Sequence, residues 1–179
     1  LVRPWEATSD LDPLAAAVAL LTHHDAVTGT GMQHVVYDYA LRLAGGVAVA
    51  DNVVSAALDE LLGRPTDAPK FVIQHRLNES VIGGPNTAPG EPFQLALWNP
   101  LSVAVHEVLR IPVVGPGGYN ATNAVTGAAV RTNVILAAKP TAAQSSALPT
   151  GMLAYELLLE VSVAALSAAA YSIRPTAGV

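Results

Sequence analysis

Apolar positions in the first third of the chain recur at helical spacing, and those in the remainder alternate. Leu14, Val18 and Leu21 stand at i, i+4 and i+7, on one helical face. Asp12-Pro13 just before them predicts where that helix starts, with Asp12 as N-cap and Pro13 at the first helical position. A second helix opens at Thr30-Gly31-Met32-Gln33, which fits a capping box with Thr30 accepting from the Gln33 N–H. Val36, Leu43, Val47, Val54, Leu58 and Leu61 hold helical spacing up to Leu62, and Gly63 and Pro65 supply the stop. Gly45-Gly46 interrupts that pattern. Each glycine costs about 1 kcal/mol against alanine in a helix, so a break or bend is expected there.

Beyond Pro65 the period changes. Arg64 to Pro69 reads as a linker. Phe93, Leu95 and Leu97 alternate with Gln94 and Ala96. Val103, Val105, Leu109 and Ile111 share one parity, which Glu107 interrupts. Leu153, Tyr155, Leu157, Leu159 and Val161 alternate with Ala154, Glu156, Leu158 and Glu160. This alternation predicts antiparallel strands with one buried and one wetter face. Gly115 to Asn123 and Lys139 to Gly151 read as loops, and alanine-rich Val163 to Ala170 suits a helix by propensity as well as a strand. The expected fold is an α+β multidomain fragment. Residues 1–64 form a helical segment of three-helix-bundle type. Residues 65–92 are a linker with a first strand, and residues 93–179 the start of an antiparallel β-sandwich.

Composition narrows the function. With 179 residues, 51% of them hydrophobic, the chain can bury a core. A net charge of -5 without a basic cluster excludes the long-range attraction that nucleic-acid binding needs. The mean hydropathy of +0.40 raises the question of a membrane. The most apolar window, Met152 to Ala170, is broken by Glu156 and Glu160, and a charge near a bilayer centre costs about 3 kcal/mol, so no membrane span is expected. Without cysteine there are no disulfides or thiolate metal sites. The chain opens on Leu1-Val2-Arg3-Pro4, without Met or a signal-peptide pattern, which sets the expectation of a fragment or a processed piece.

Chemistry concentrates in His23-His24-Asp25-Ala26-Val27-Thr28-Gly29-Thr30, two imidazoles and a carboxylate followed by a Thr-Gly-Thr turn. Imidazole is a common zinc ligand, and a carboxylate can complete such a site. Adjacent histidines on a helix point about 100° apart and chelate poorly, so at most one of the pair is expected to be a ligand. His34, His75 and His106 stand at no ligand spacing to them. The plainer reading makes His23 and His24 a helix C-terminus favoured by the dipole. Were the first helix to continue, Asp25 would lie on its apolar face and need a partner. Asn78-Glu79-Ser80 and Asn120-Ala121-Thr122 are N-glycosylation acceptor triplets. Trp98, Tyr37, Tyr39 and Tyr155 could stack on sugars, although packing is the commoner role.

The octapeptide at His23, with Gln33-His34-Val35 and Asp38-Tyr39 after it, resembles the middle region of the class II α-mannosidases, glycoside hydrolase family 38, and most closely the lysosomal branch. Leu77-Asn78-Glu79-Ser80, Trp98-Asn99-Pro100-Leu101, Val108-Leu109-Arg110-Ile111-Pro112-Val113 and Ala170-Tyr171-Ser172-Ile173 follow in the family's order. The resemblance covers Leu14 to Ile173, with weak stretches at Val47–Gln74 and Gly115–Thr150. It implies that His24 is a ligand of a catalytic zinc ion, that Asp25 contacts bound mannose, and that His23 packs. It further implies retaining hydrolysis through an aspartate nucleophile and a second carboxylate. Those groups, with the other zinc ligands, belong to an N-terminal domain outside this chain, so no catalytic residue is expected here and the piece alone should be inactive.

By the same resemblance the substrate is a mannose-containing oligosaccharide and the setting lysosomal, vacuolar or secreted. Homodimerisation of the whole enzyme stays open. Gln74 and Ile82 stand where relatives carry cysteines, so that disulfide is missing. The rival expectation is a non-enzymatic helical-plus-β module for carbohydrate binding or assembly.

Overall fold

The computed structural model describes residues 4–65, 67–75, 91–114, 116–137 and 154–176. Two compact units divide the chain, Leu1–Ile73 and Gln74–Val179. The first is helical: α1 (Pro4–Leu21), the single turn α2 (His24–Val27) and α3 (Gln33–Leu61). The second holds β1 (Phe93–Asn99), β2 (Val105–Val114), β3 (Tyr119–Asn123), β4 (Ala129–Val130), β5 (Thr132–Leu136), β6 (Ala154–Val163) and β7 (Ser167–Pro175). A helical piece followed by antiparallel strands in two sheets is the expected α+β class.

In the helical unit α1 packs along α3. The buried positions of α3 are Gly46, Ala50, Ser55 and Leu58, and Ala17 is buried on α1. These are mostly small residues, which lets the two backbones approach closely. At Gly46 a Cβ would lie 2.7 Å from Leu14 Cα and 3.1 Å from the Pro13 carbonyl carbon. The glycine therefore marks the crossing point, and α3 runs through it as a single helix instead of breaking. The start of α1 also departs from expectation. The helix begins at Pro4 and carries Pro13 inside it, beside the Gly46 contact. Interhelical packing there overrides a local start signal. The inward stripe of α1 is Leu14, Ala17 and Leu21, whereas Val18 is half exposed.

At its far end α3 stops as expected. Gly63 takes φ +62, its N–H donates to the Glu60 carbonyl at 3.1 Å, and the Arg64 N–H donates to the Asp59 carbonyl at 2.8 Å, the Schellman pattern. The Arg64 side chain pairs with Asp59, donates to the Pro69 carbonyl at 2.9 Å and lies 4.1 Å over the Phe71 ring. The Phe71 N–H donates to buried Ser55 Oγ at 3.0 Å, so the chain at Phe71 folds back on α3, and residues 67–75 form no strand. By length and composition α3 could cross a membrane. It also carries Asp38, Arg42, Asp51, Asp59 and Glu60.

The β unit is two antiparallel sheets, ordered β1-β7-β3-β4 and β2-β6-β5. Ile111 and Val113 on β2, Leu157, Leu159 and Val161 on β6, Ala121 on β3, and Tyr171 and Ile173 on β7 form one buried cluster between them. The parity read along Tyr155 to Val161 is the parity observed, with Leu157 and Leu159 fully buried and Glu160 exposed. One local expectation fails and one open reading is decided. Residues Tyr119–Asn123, read as loop, are a strand that pairs with β7 and turns Ala121 into the core. Polar Asn120 and Thr122 are its outer face and had disguised it. The alanine-rich stretch after Val163 is a turn, with Leu166 at φ +48, and then strand β7. Strand partners on both sides override alanine's helical propensity there. Lys139 to Gly151 lie outside the described residues.

Two side chains tie the sheets. The Tyr171 hydroxyl donates to the Ser162 carbonyl at 2.8 Å and accepts from its N–H at 3.0 Å, linking β7 to β6. Buried Asn99 ends β1. Its Nδ2 faces the carbonyls of Val103 (2.8 Å), Val163 (3.2 Å) and Ala164 (2.9 Å), and its Oδ1 accepts from the Leu101 N–H at 3.0 Å.

These contacts set the expected stability of three variants. Gly46→Ala is expected to destabilise the helical pair by about 1–3 kcal/mol in chemical unfolding, because the new methyl meets backbone. Gly45→Ala, where a Cβ meets nothing within 4 Å, should instead stabilise by up to about 1 kcal/mol. Asn99→Ala strips partners from several main-chain groups at once and should lower the unfolding free energy by about 2–3 kcal/mol, with a matching fall in Tm.

Candidate metal and sugar site at the helix junction

α1 closes with the Thr22 and His23 N–H groups donating to the Ala19 and Leu20 carbonyls at 3.2 and 3.1 Å. His23 then takes φ -55, ψ 140, an extended residue between two helical ones. Its carbonyl accepts from Ala26 and Val27 at 2.9 and 3.0 Å and so starts α2. Thr30 is not the cap of α3. That position is Met32, which makes no side-chain cap bond. The Thr30 hydroxyl is engaged elsewhere. It donates to Asp25 Oδ1 at 3.0 Å and lies 2.8 Å from the Thr28 hydroxyl.

Asp25 organises the whole turn. Its carbonyl accepts from the Thr30 and Gly31 N–H groups at 3.1 and 3.0 Å. Gly29, at φ +72, gives the chain the left-handed step needed to bring them round. The Thr28 hydroxyl donates to the His24 carbonyl, holding the α2 turn closed. With Oδ1 committed to Thr30, Asp25 Oδ2 faces both imidazoles, 3.5 Å from His23 Nε2 and 3.6 Å from His24 Nε2.

The two histidine rings therefore converge, contrary to expectation, with centroids 4.2 Å apart. The helical 100° separation does not apply, because His23 is extended and only His24 belongs to α2. One ligand atom from each of His23, His24 and Asp25 falls within 4.8 Å of the others. Two nitrogens and an oxygen are a donor set that suits zinc, and separations near 3.5 Å match two ligands each about 2 Å from one ion. The residues present thus fit such an ion on one side. His24 is 82% exposed, His23 43% and Asp25 51%, so the other side is open.

The remaining candidates lie elsewhere. Asp38, on α3, pairs with Arg42 at 2.7 Å, and that hydrogen bond raises the Arg42 pKa. Trp98 and Tyr37 are exposed and pack in no core, while Tyr155 packs against the β cluster. Asn120 is exposed on β3, and Asn78 lies outside the described residues. Sequence reasoning missed the part played by Thr28 and Thr30. The signal available was the Thr-Gly-Thr turn itself, but the spacing of Thr30 to Gln33 points to a helix cap instead.

The known proteins that the chain matches are glycoside hydrolases. Within that class it is a relative of the class II α-mannosidases, and lysosomal forms are prominent among its matches, so the family resemblance holds. It is 34% identical to the lysosomal alpha-mannosidase of Felis catus over 177 residues, 99% of this chain and 16% of that protein. It is 41% identical to the Bos taurus lysosomal alpha-mannosidase over 112 residues, 63% of this chain and 11% of that one. A probable alpha-mannosidase of Arabidopsis thaliana is 41% identical over 107 residues, 58% of this chain and 10% of that protein. The chain thus spans a sixth or less of the length of these relatives. No family model matches it.

Thr30→Val keeps the shape of the turn residue and removes the bond to Asp25. Amide exchange at Thr30 and Gly31 should then speed up by about five- to tenfold, the equivalent of a hydrogen bond worth about 1 kcal/mol. Unchanged exchange would deny the hydroxyl that role.

Proposed function

We propose that this chain is the middle portion of a zinc-dependent retaining α-mannosidase that hydrolyses α-mannosidic bonds of glycans. The observation that carries the reading is the convergence of His23, His24 and Asp25 on an open face, in a chain related along its length to α-mannosidases. His24 would be the zinc ligand. Its ring is the most exposed of the three and is presented from the first turn of α2. Asp25 would contact the mannose. With Oδ1 fixed by Thr30, its carboxylate keeps acceptor capacity for a sugar hydroxyl. His23, the least exposed, would support the other two. Zinc, when bound, supplies Lewis-acid polarisation of the sugar's hydroxyls.

Nucleophile, general acid and the other zinc ligands are assigned to a separate N-terminal domain, and no catalytic residue to this chain. Residues 1–64 would then be part of a helical bundle, 65–92 a linker with a first strand, and 93–179 the beginning of a C-terminal β-domain. Exposed Tyr37, Leu41, Val18 and Leu61 on α1 and α3 support that reading, since two helices alone leave apolar surface that further chain would cover. The partner is a mannose-containing oligosaccharide, and the setting lysosomal, vacuolar or secreted. A second reading, a non-enzymatic module that holds carbohydrate, draws on Trp98, which is 60% exposed.

His24→Ala in the full-length protein decides between them. Bound zinc, measured by elemental mass spectrometry, and hydrolysis of an aryl α-mannoside should each fall by about 100-fold or more. Retention of both would refute the ligand role. A wild-type full-length protein that binds mannosides without cleaving them would favour the module.

A further inference from the structure

We propose that Asn120 carries an N-linked glycan. Asn120-Ala121-Thr122 meets the acceptor rule, with alanine rather than proline in the middle and Asn123 after it. The strand supplies what the triplet alone does not. A period of two puts Asn120 and Thr122 on one face and sends Ala121, 4% exposed, into the core. Both outward residues are exposed.

The neighbours across the strands leave room. Asn120 stands opposite Arg174 on β7, and Thr122 opposite Ser172 on β7 and Ala129 on β4. Tyr171 and Ile173, the bulky apolar residues of β7, point to the other face. A hydrophilic oligosaccharide there would displace no apolar contact.

The other described asparagines are committed. Asn99 clamps three carbonyls, Asn52 donates to the Ala48 carbonyl, Asn123 accepts from Val125 and Thr126, and Asn133 accepts from Val134. The Asn120 side chain makes no hydrogen bond among the described residues. Attachment therefore breaks no hydrogen bond of that side chain among the described residues.

The donor is an oligosaccharide on a pyrophosphoryl lipid. The Asn120 amide nitrogen bonds to the anomeric carbon, the carbon–oxygen bond to pyrophosphate breaks, and the lipid pyrophosphate leaves with that electron pair. The amide gives up one proton and nothing is oxidised or reduced. Passage through a secretory route is required. The mannosidase reading is not. The glycan would mark the outer face of the β1-β7-β3-β4 sheet as a solvent face of the whole protein.

The test is to express the full-length protein behind a secretion signal in a eukaryotic host, then release glycans with a peptide N-glycosidase in heavy-oxygen water. Mapping the secreted and cell-retained pools together reads the site whether or not the product is exported. The peptide holding Asn120 should contain heavy-labelled aspartate there in most copies. Thr122→Ala should abolish the label and Thr122→Ser should keep it. An unlabelled Asn120 in both pools overturns the proposal, and so does labelling confined to Asn78.

Discussion

The helix junction depends on the hydrogen bonds gathered by Asp25. Its carbonyl holds two amides and its carboxylate holds the Thr30 hydroxyl, so one residue fixes both the path of the chain and the direction of its own free oxygen. Without that anchoring, the second oxygen would have no set position relative to the histidines. Because every partner lies within six residues, the turn needs little from distant packing to take shape. Anchored exposed groups give up less entropy on binding than free ones.

The interhelical contact works by the opposite logic. Gly46, Ala50 and Ala17 add little apolar area themselves, but they let α1 and α3 come together until backbone meets backbone. The pair holds through proximity more than through large side chains, and its outer flanks keep Val18, Leu41, Leu61 and Tyr37 exposed.

Where a signal was repeated, the sequence was readable. Alternation along β2 and β6 gave the buried face correctly, because the hydrophobic pattern and the sheet register agree over many residues. The end of α3 was equally clear, since Gly63 meets a local backbone need. Single signals fared worse. Asp12-Pro13 suggests a helix start until the rest of α1 is seen packed on α3. Thr30 looked like a cap because its spacing to Gln33 is right, yet Asp25, five residues back, holds its hydroxyl. β3 was hidden because a five-residue strand with two polar outer positions resembles a turn. Convergence of His23 and His24 could not be read at all, for it depends on one extended residue between two helices.

Strand order also says when the β unit can form. β7 lies between β1 and β3, and β6 between β2 and β5. The last two strands of the unit, β6 and β7, are therefore each an inner strand of a different sheet. A ribosome emitting this unit releases β1 to β5 with most of their edges unpaired; the β2-β6-β5 sheet can close only once residue 163 emerges and the other only once residue 175 does. Assembly of both sheets thus waits on strands far along the chain and is high in contact order. During that interval the exposed edges of β2 and β5 are the part of the molecule most in need of a chaperone.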